Sequence, residues 1–374
     1  MEKLKSALID YSVAVSNKGN NYRMKKLMAR AEAGEKLNIA FLGGSITQGS
    51  VATRPELCYA YRVFEWWKDK FPKAEFTYIN AGIGGTTSQF GAARAAEDLL
   101  SYEPDFVIIE FSVNDDSNEH FMETYEGLVR KVYTYRTEPA VMLVHNVFYN
   151  NGANSQLMHS RIGRHYGIPS VSMQSTVYQA VVSGRIPNRD ITPDDLHPND
   201  AGHELVASVI TYGLEEIMKA QPDGEPPRFP EPLTANAYED SVRYRNINSG
   251  PELAGFVKDT AKQSHITDCF KYGWTAGNTG DAISFEVEGS CIAVQFRKSV
   301  RLPAPVAEIV IDGDESTRMI LDANFDETWG DKLELYTVME HGENKKHKVD
   351  IRLIETHPDD AAEFYLVSVI GSGR

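Results

Sequence analysis

Apolar positions over the first 220 residues alternate between two textures. Short apolar runs at Ile39–Leu42, Phe76–Ile79, Phe106–Phe111, Val141–Val144 and Pro169–Ser172 have the length of buried strands. Between them lie stretches of helical period. These run from about Tyr22 to Glu35, Tyr61 to Lys70 (with Val63, Trp66 and Trp67 on one side), Phe90 to Leu100, Tyr125 to Tyr135 and Ser155 to Tyr166. Leu205, Val209, Tyr212 and Ile217 mark a closing helix. Strands that are apolar throughout and alternate with helices predict a five-stranded parallel sheet covered on both faces. Right-handed crossovers place every strand-to-helix loop on one edge of such a sheet. Ser45, Gly85 and Asn114 all follow strands, so topology gathers them there.

Beyond Ala220 the texture changes. Gln221–Pro232, QPDGEPPRFPEP, has the proline-rich, polar composition of a linker. Alternating runs then replace the helical period at Ala282–Val287, Ile292–Phe296, Glu308–Ile311, Leu333–Val338, Val349–Ile354 and Phe364–Ile370. Turn residues such as Asp312-Gly313-Asp314 separate them, the pattern of an antiparallel β-sandwich. The division expected is a catalytic domain over 1–220, a linker over 221–232 and a β-sandwich over 233–374.

The chain has 374 residues, 42% hydrophobic and 24% charged, which suits a soluble globular protein of two domains. A net charge of −15 disfavours nucleic acid and anionic membranes as partners. Cys58, Cys269 and Cys291 are too few and too scattered for a disulfide framework or a metal cluster. No apolar run is long enough to span a bilayer, and the first residues lack the pattern of a secretion signal, so a cytoplasmic location is expected.

The chemistry centres on Asn38–Gly49, NIAFLGGSITQG. Ser45 is the first reactive side chain past the tip of a strand, where open α/β sheets carry their sites. A serine hydroxyl needs a base, and Asp194-Asp195-Leu196-His197-Pro198-Asn199 offers one. Pro198 biases His197 away from helix, so a loop presents the ring. Asp194, three residues earlier, can accept from one ring nitrogen and turn the other toward the serine; Asp195 is the alternative acid. Candidate donors to an oxyanion are the Ser45 N–H, the Gly85 N–H within NAGIGGTTS and the Asn114 amide, although which glycine N–H serves is open. His120, His145 and His203 lack metal-ligand spacing and read as core or surface residues.

Four blocks in order, GGSITQG, NAGIGGTTS, FSVNDD and DDLHPN, resemble the SGNH hydrolases, also called the GDSL family, over about Leu37–Ala220. The resemblance implies a flavodoxin-like three-layer α/β/α fold and ester hydrolysis with no cofactor or metal. It implies Ser45 as nucleophile, Asp194 and His197 as its partners, and Gly85 and Asn114 as oxyanion donors. One position departs: Gly44 stands where the family usually has Asp, which is closer to a GGSIT-type branch containing many carbohydrate deacetylases.

An SGNH domain followed by a β-sandwich is similar to bacterial carbohydrate acetylesterases whose second domain resembles a carbohydrate-binding module; those acting on acetylated mannan share this order. The expected activity is removal of O-acetyl groups from mannan-derived oligosaccharides, with xylan next. Tyr149 and Asn150 are expected to line the substrate crevice, and Trp329 to stack on sugar. A homodimer is a further expectation. The competing functions are a lysophospholipase or thioesterase of the same family and a non-catalytic carbohydrate-binding protein.

Overall fold

The strand that leads to Ser45, Lys36–Gly43 (here β2, after a short β1 at Val15–Asn17), is buried at every residue from Ile39 to Gly43. Burial on both faces is what a parallel strand requires. It pairs in parallel with Glu75–Gly82 (β3) on one side and Phe106–Glu110 (β4) on the other. Ala140–His145 (β5) and Ser170–Ser172 (β6) continue the parallel sheet. The order is β1-β6-β5-β4-β2-β3. Counted over the parallel strands alone this is the flavodoxin-like order, whose switch point falls between β2 and β4. Ser45 follows the first of these strands and Asn114 the second, so the fold itself sets them side by side.

This computed structural model describes residues 5–226 and 229–374. Ile39, Phe41, Phe106 and Ile108 share a core with helices Tyr22–Glu32, Tyr59–Lys70 and Asp200–Lys219. On the other face Ala40, Leu42, Val107 and Ile109 are equally buried. Helices Ser88–Asp98 and Glu119–Tyr133 meet there through Gly91 and Leu128.

The sheet has six strands rather than five. β1 adds an antiparallel edge, with Val15 opposite Val171. It is only three residues long and half-buried, and polar bonds hold it: Ser16 to Ser170, and the Asn17 amide to the carbonyls of Gly163 and Ile168. Such a strand leaves no apolar run to read.

The chain divides into two units, Met1–Asn236 and Ala237–Arg374. The division comes later than the proline-rich stretch because the first unit grips the end of that stretch. Glu126 accepts the N–H groups of Leu233 (2.7 Å) and Thr234 (2.8 Å), and the Arg130 guanidinium lies 4.6 Å from the Phe229 ring. Residues 227 and 228 of that stretch lie outside the described residues.

The second unit is a β-sandwich. One sheet runs Lys332–Met339, Cys291–Lys298, Phe364–Ser372, Trp274–Ala276, Val257–Lys258, with Val242–Tyr244 also against Phe364–Ser372. The other runs Asp314–Asp322, Val306–Ile311, Lys345–Glu355, Ala282–Gly289, Glu252–Ala254. Val294 and Phe296 from the first sheet and Ile309 and Ile351 from the second share one core with Trp274. The edge strand Asp314–Asp322 escapes a reading by pattern because only Leu321 within it is buried.

Candidate active site

At the tip of β2, Gly44 precedes a four-residue helix, Ser45–Gln48. Ser45 heads that helix, so its N–H has no intrahelical acceptor and faces outward as a donor. Its side chain is nearly enclosed, with the residue 8% exposed. The Ser45 Oγ lies 2.8 Å from His197 Nε2, and His197 Nδ1 lies 2.6 Å from Asp194 Oδ2. The second Asp194 oxygen accepts the N–H groups of His197 (2.8 Å) and Leu196 (3.1 Å) and the Thr192 hydroxyl (3.1 Å). Partial burial pushes the Asp194 carboxyl up, but these hydrogen bonds outweigh it and hold the pKa at about 2. A carboxylate that stays ionised keeps Nδ1 protonated and leaves Nε2 free to take the serine proton.

Asp195 turns the other way. Its backbone has φ +71°, and its carboxylate binds Arg189 Nη1 at 2.8 Å and the Asn188 amide at 2.5 Å. The choice between the two acids is thus made by geometry in favour of Asp194.

The oxyanion candidates converge on the same tip. The Asn114 amide packs directly on the Gly44 Cα; a Cβ there would sit 2.2 Å from Asn114 Oδ1. That buried oxygen has no hydrogen-bond partner among the described residues, and of the amide's two ends only the nitrogen can donate to an oxyanion. On the β3 turn, the Gly84 N–H is committed to Gln48 Oε1 at 2.6 Å. Gly85 follows at φ +68°, exposed, its N–H without a protein acceptor among the described residues. The structure thus leaves Gly85 as the available glycine donor. An enclosed hydroxyl, an oriented base and neutral donors can carry out acyl transfer to serine.

Residues 41–205 match the GDSL-like Lipase/Acylhydrolase family. A two-domain esterase active on acetylated mannans has a crystal structure that superposes with a TM-score of 0.96 at 68% identity, covering 98% of this chain and 99% of that one. The chain belongs to the GDSL-like hydrolase family. The same type of esterase, co-crystallised with mannopentaose, gives a TM-score of 0.95 at 68% identity over 98% of both chains. Two more distant relatives match part of the chain. An acetylxylan esterase of Geobacillus stearothermophilus is 25% identical over 215 residues, 50% of this chain and 94% of that protein. An arylesterase of Vibrio mimicus is 29% identical over 147 residues, 38% of this chain and 62% of that protein.

Within this GDSL-like hydrolase one of the expected substrate contacts falls differently. Tyr149 is 3% exposed and belongs to the core, its N–H bonded to the Asp195 carbonyl at 2.7 Å, because the residues after β5 turn inward before the chain reaches the surface. It supports the His197 loop from behind instead of lining a crevice. Asn150 is exposed. Trp329 lies in the second unit, 61% exposed, with Phe325 edge-on to it at 5.2 Å.

Several residues around the site escape the sequence reading. Glu110, at the end of β4 and 0% exposed, places its carboxyl 3.4 Å from the hydroxyls of Thr47 and Ser112. Burial raises its pKa to about 7. Arg94, also 0% exposed, donates to the carbonyls of Ala81 (2.7 Å) and Gly43 (3.2 Å), tying the tips of β3 and β2 together. Asp115 accepts the Ser88 N–H (2.9 Å) and lies 3.0 Å from His159 Nε2, so it anchors the start of the helix Ser88–Asp98. The one available signal was a charged residue inside an apolar run, Glu110 after Phe106–Ile109.

Proposed function

We propose that this GDSL-like hydrolase is a serine esterase that removes O-acetyl groups from mannan-derived oligosaccharides, with acetylated xylo-oligosaccharides the next substrate. The observation that carries the reading is the hydrogen-bonded chain Ser45–His197–Asp194 in a protein 68% identical, over nearly its whole length, to an esterase active on acetylated mannans.

In this reading Ser45 Oγ attacks the acetyl carbonyl as His197 Nε2 takes its proton, and Asp194 stabilises the imidazolium. The Ser45 N–H, the Gly85 N–H and the Asn114 amide receive the oxyanion. Collapse breaks the ester bond, and His197 returns the proton to the departing sugar hydroxyl. Water, deprotonated by the same ring, then attacks acetyl-Ser45 and releases acetate. None of these steps calls for a cofactor. Among the described residues no group of His, Cys, Asp or Glu is arranged to hold a metal ion.

Trp329, exposed in the β-sandwich, is the proposed sugar-stacking residue, and Asn150 the proposed polar contact near the first unit's site. The cytoplasmic location and the homodimer are carried forward as parts of this proposal, to be tested by fractionation and by light scattering.

The deciding assay is acetate release from acetylated manno- and xylo-oligosaccharides beside a chain-length series of p-nitrophenyl esters. The reading expects release from the manno-oligosaccharides and a preference for acetate. Preference for long acyl chains with no sugar deacetylation overturns it in favour of a lipid-directed esterase.

A further inference from the structure

Ser45 sits on a helix of only four residues, too short to hold its own orientation. The turn that closes this helix bends back on it: the Gly49 and Ser50 N–H groups donate to the Ser45 carbonyl at 3.1 and 3.0 Å. The direction of the nucleophile thus depends on what fixes the Gly49–Ser50 peptides.

The structure shows what fixes them. His203, 0% exposed, lies in the first turn of the helix Asp200–Lys219, six positions after His197. Its Nε2 lies 3.2 Å from the Ser50 carbonyl, and its Nδ1 lies 3.2 Å from the Tyr59 N–H, at the start of the helix Tyr59–Lys70. A carbonyl must receive a proton and an N–H must meet a lone pair. Only the neutral ring protonated on Nε2 satisfies both contacts. Desolvation is the main cause that keeps this ring neutral, lowering its pKa to about 4; the Ser50 carbonyl and Asp200 act in the opposite sense, and Arg62 and His197 reinforce the lowering.

A second tie leaves the same helix. Asp200 takes the Thr53 N–H (2.8 Å) and hydroxyl (2.7 Å) in a two-pronged grip on the loop after Ser45. Tyr59 closes the ring of contacts, its hydroxyl 2.8 Å from that of Thr47 on the nucleophile's own helix.

We propose that His203 is a positioning residue for acyl transfer: as the Nε2–H tautomer it ties the turn bearing Ser45 to the helix whose preceding loop carries His197, and so sets the distance between nucleophile and base. Base and tether then move as one body. The inference rests on the esterase reading, and its test separates the two.

Two substitutions divide the ring's functions. His203→Gln keeps a donor at the position of Nε2, facing Ser50. His203→Asn keeps an acceptor at the position of Nδ1 but cannot reach Ser50. Misplacing reacting groups by about 1 Å costs on the order of 10²-fold. H203N is therefore expected to lower kcat by about ten- to 10²-fold with KM within about twofold, and to slow fluorophosphonate labelling of Ser45 in parallel; H203Q is expected to stay within about threefold of wild type. Equal kcat losses in both variants that follow their melting temperatures, or no loss in H203N, overturn the proposal.

A measurement on the unaltered protein holds even where a variant does not fold. Nitrogen-15 NMR of the histidine rings should show His203 neutral with its proton on Nε2 at pH 7. A proton on Nδ1 refutes the tie. Failure of wild-type Ser45 to react with fluorophosphonate would instead remove the esterase reading itself.

Discussion

The amide of Asn114 rests against the Cα of Gly44, the residue before the nucleophile, so closely that a methyl group at 44 would lie 2.2 Å from the amide oxygen. This contact accounts for the absence of Asp, or any side chain, at that position in this chain. Gly44→Ala should displace the amide and behave like loss of an oxyanion donor, with kcat lower by about 10² to 10³-fold and KM little changed. Because both changes act on one group, the G44A/N114A double variant should be no worse than N114A alone. Steady-state kinetics of the three variants check this.

Asp194 and Asp195 are neighbours with opposite expected effects. Asp194→Asn removes the acceptor that fixes the His197 ring and should lower kcat by about 10⁴-fold. Asp195→Asn loses only contacts to Arg189 and Asn188 and should stay within about threefold of wild type, since exposed ion pairs contribute little.

The Asp194 carboxyl also yields a pH prediction. Its folded pKa of about 2 lies below the ordinary 3.8, so its contribution to stability is present above pH 4 and is lost as the pH falls toward 2. Melting temperatures from pH 5 to pH 2 should fall less steeply in D194N than in the wild type.

Glu110 gives the reverse dependence. Burial raises its pKa from 4.5 to about 7, so stability is highest below pH 4.5 and declines as the pH rises through 7, where a charge forms with no ion-pair partner among the described residues. Glu110→Gln removes that charge. The variant should melt at nearly constant temperature from pH 5 to pH 8, and at pH 8 it should exceed the wild type by up to about 3 kcal/mol.

The sequence carried the first unit's site further than it carried the fold's edges. Ser45, His197 and Asp194 were legible because each stands in a short block whose local geometry, a strand tip or an X-Pro loop, dictates how its side chain is presented. Asn114 and Gly85 followed from the rule that parallel strands place their loops on one edge. The edge strands Val15–Asn17 and Asp314–Asp322 were not legible, since side-chain bonds and solvent, rather than an apolar face, accompany their pairing. Tyr149 was misplaced because an aromatic residue in a polar stretch reads as exposed, whereas here it is buried in the core and its N–H bonds the Asp195 carbonyl. Arg94 and His203 act through buried contacts between distant segments, which no local pattern encodes, and Glu110 leaves only the trace of a charge inside an apolar run.

The proposed mechanism requires that the acetyl group pass through Ser45. Quenching the enzyme during turnover of acetylated manno-oligosaccharides and mapping its peptides by mass spectrometry tests this in one measurement. An acetyl increment confined to the peptide bearing Ser45, and absent from S45A together with activity, is the result predicted. Undiminished acetate release by S45A, with no acetylated serine peptide in either protein, would contradict it.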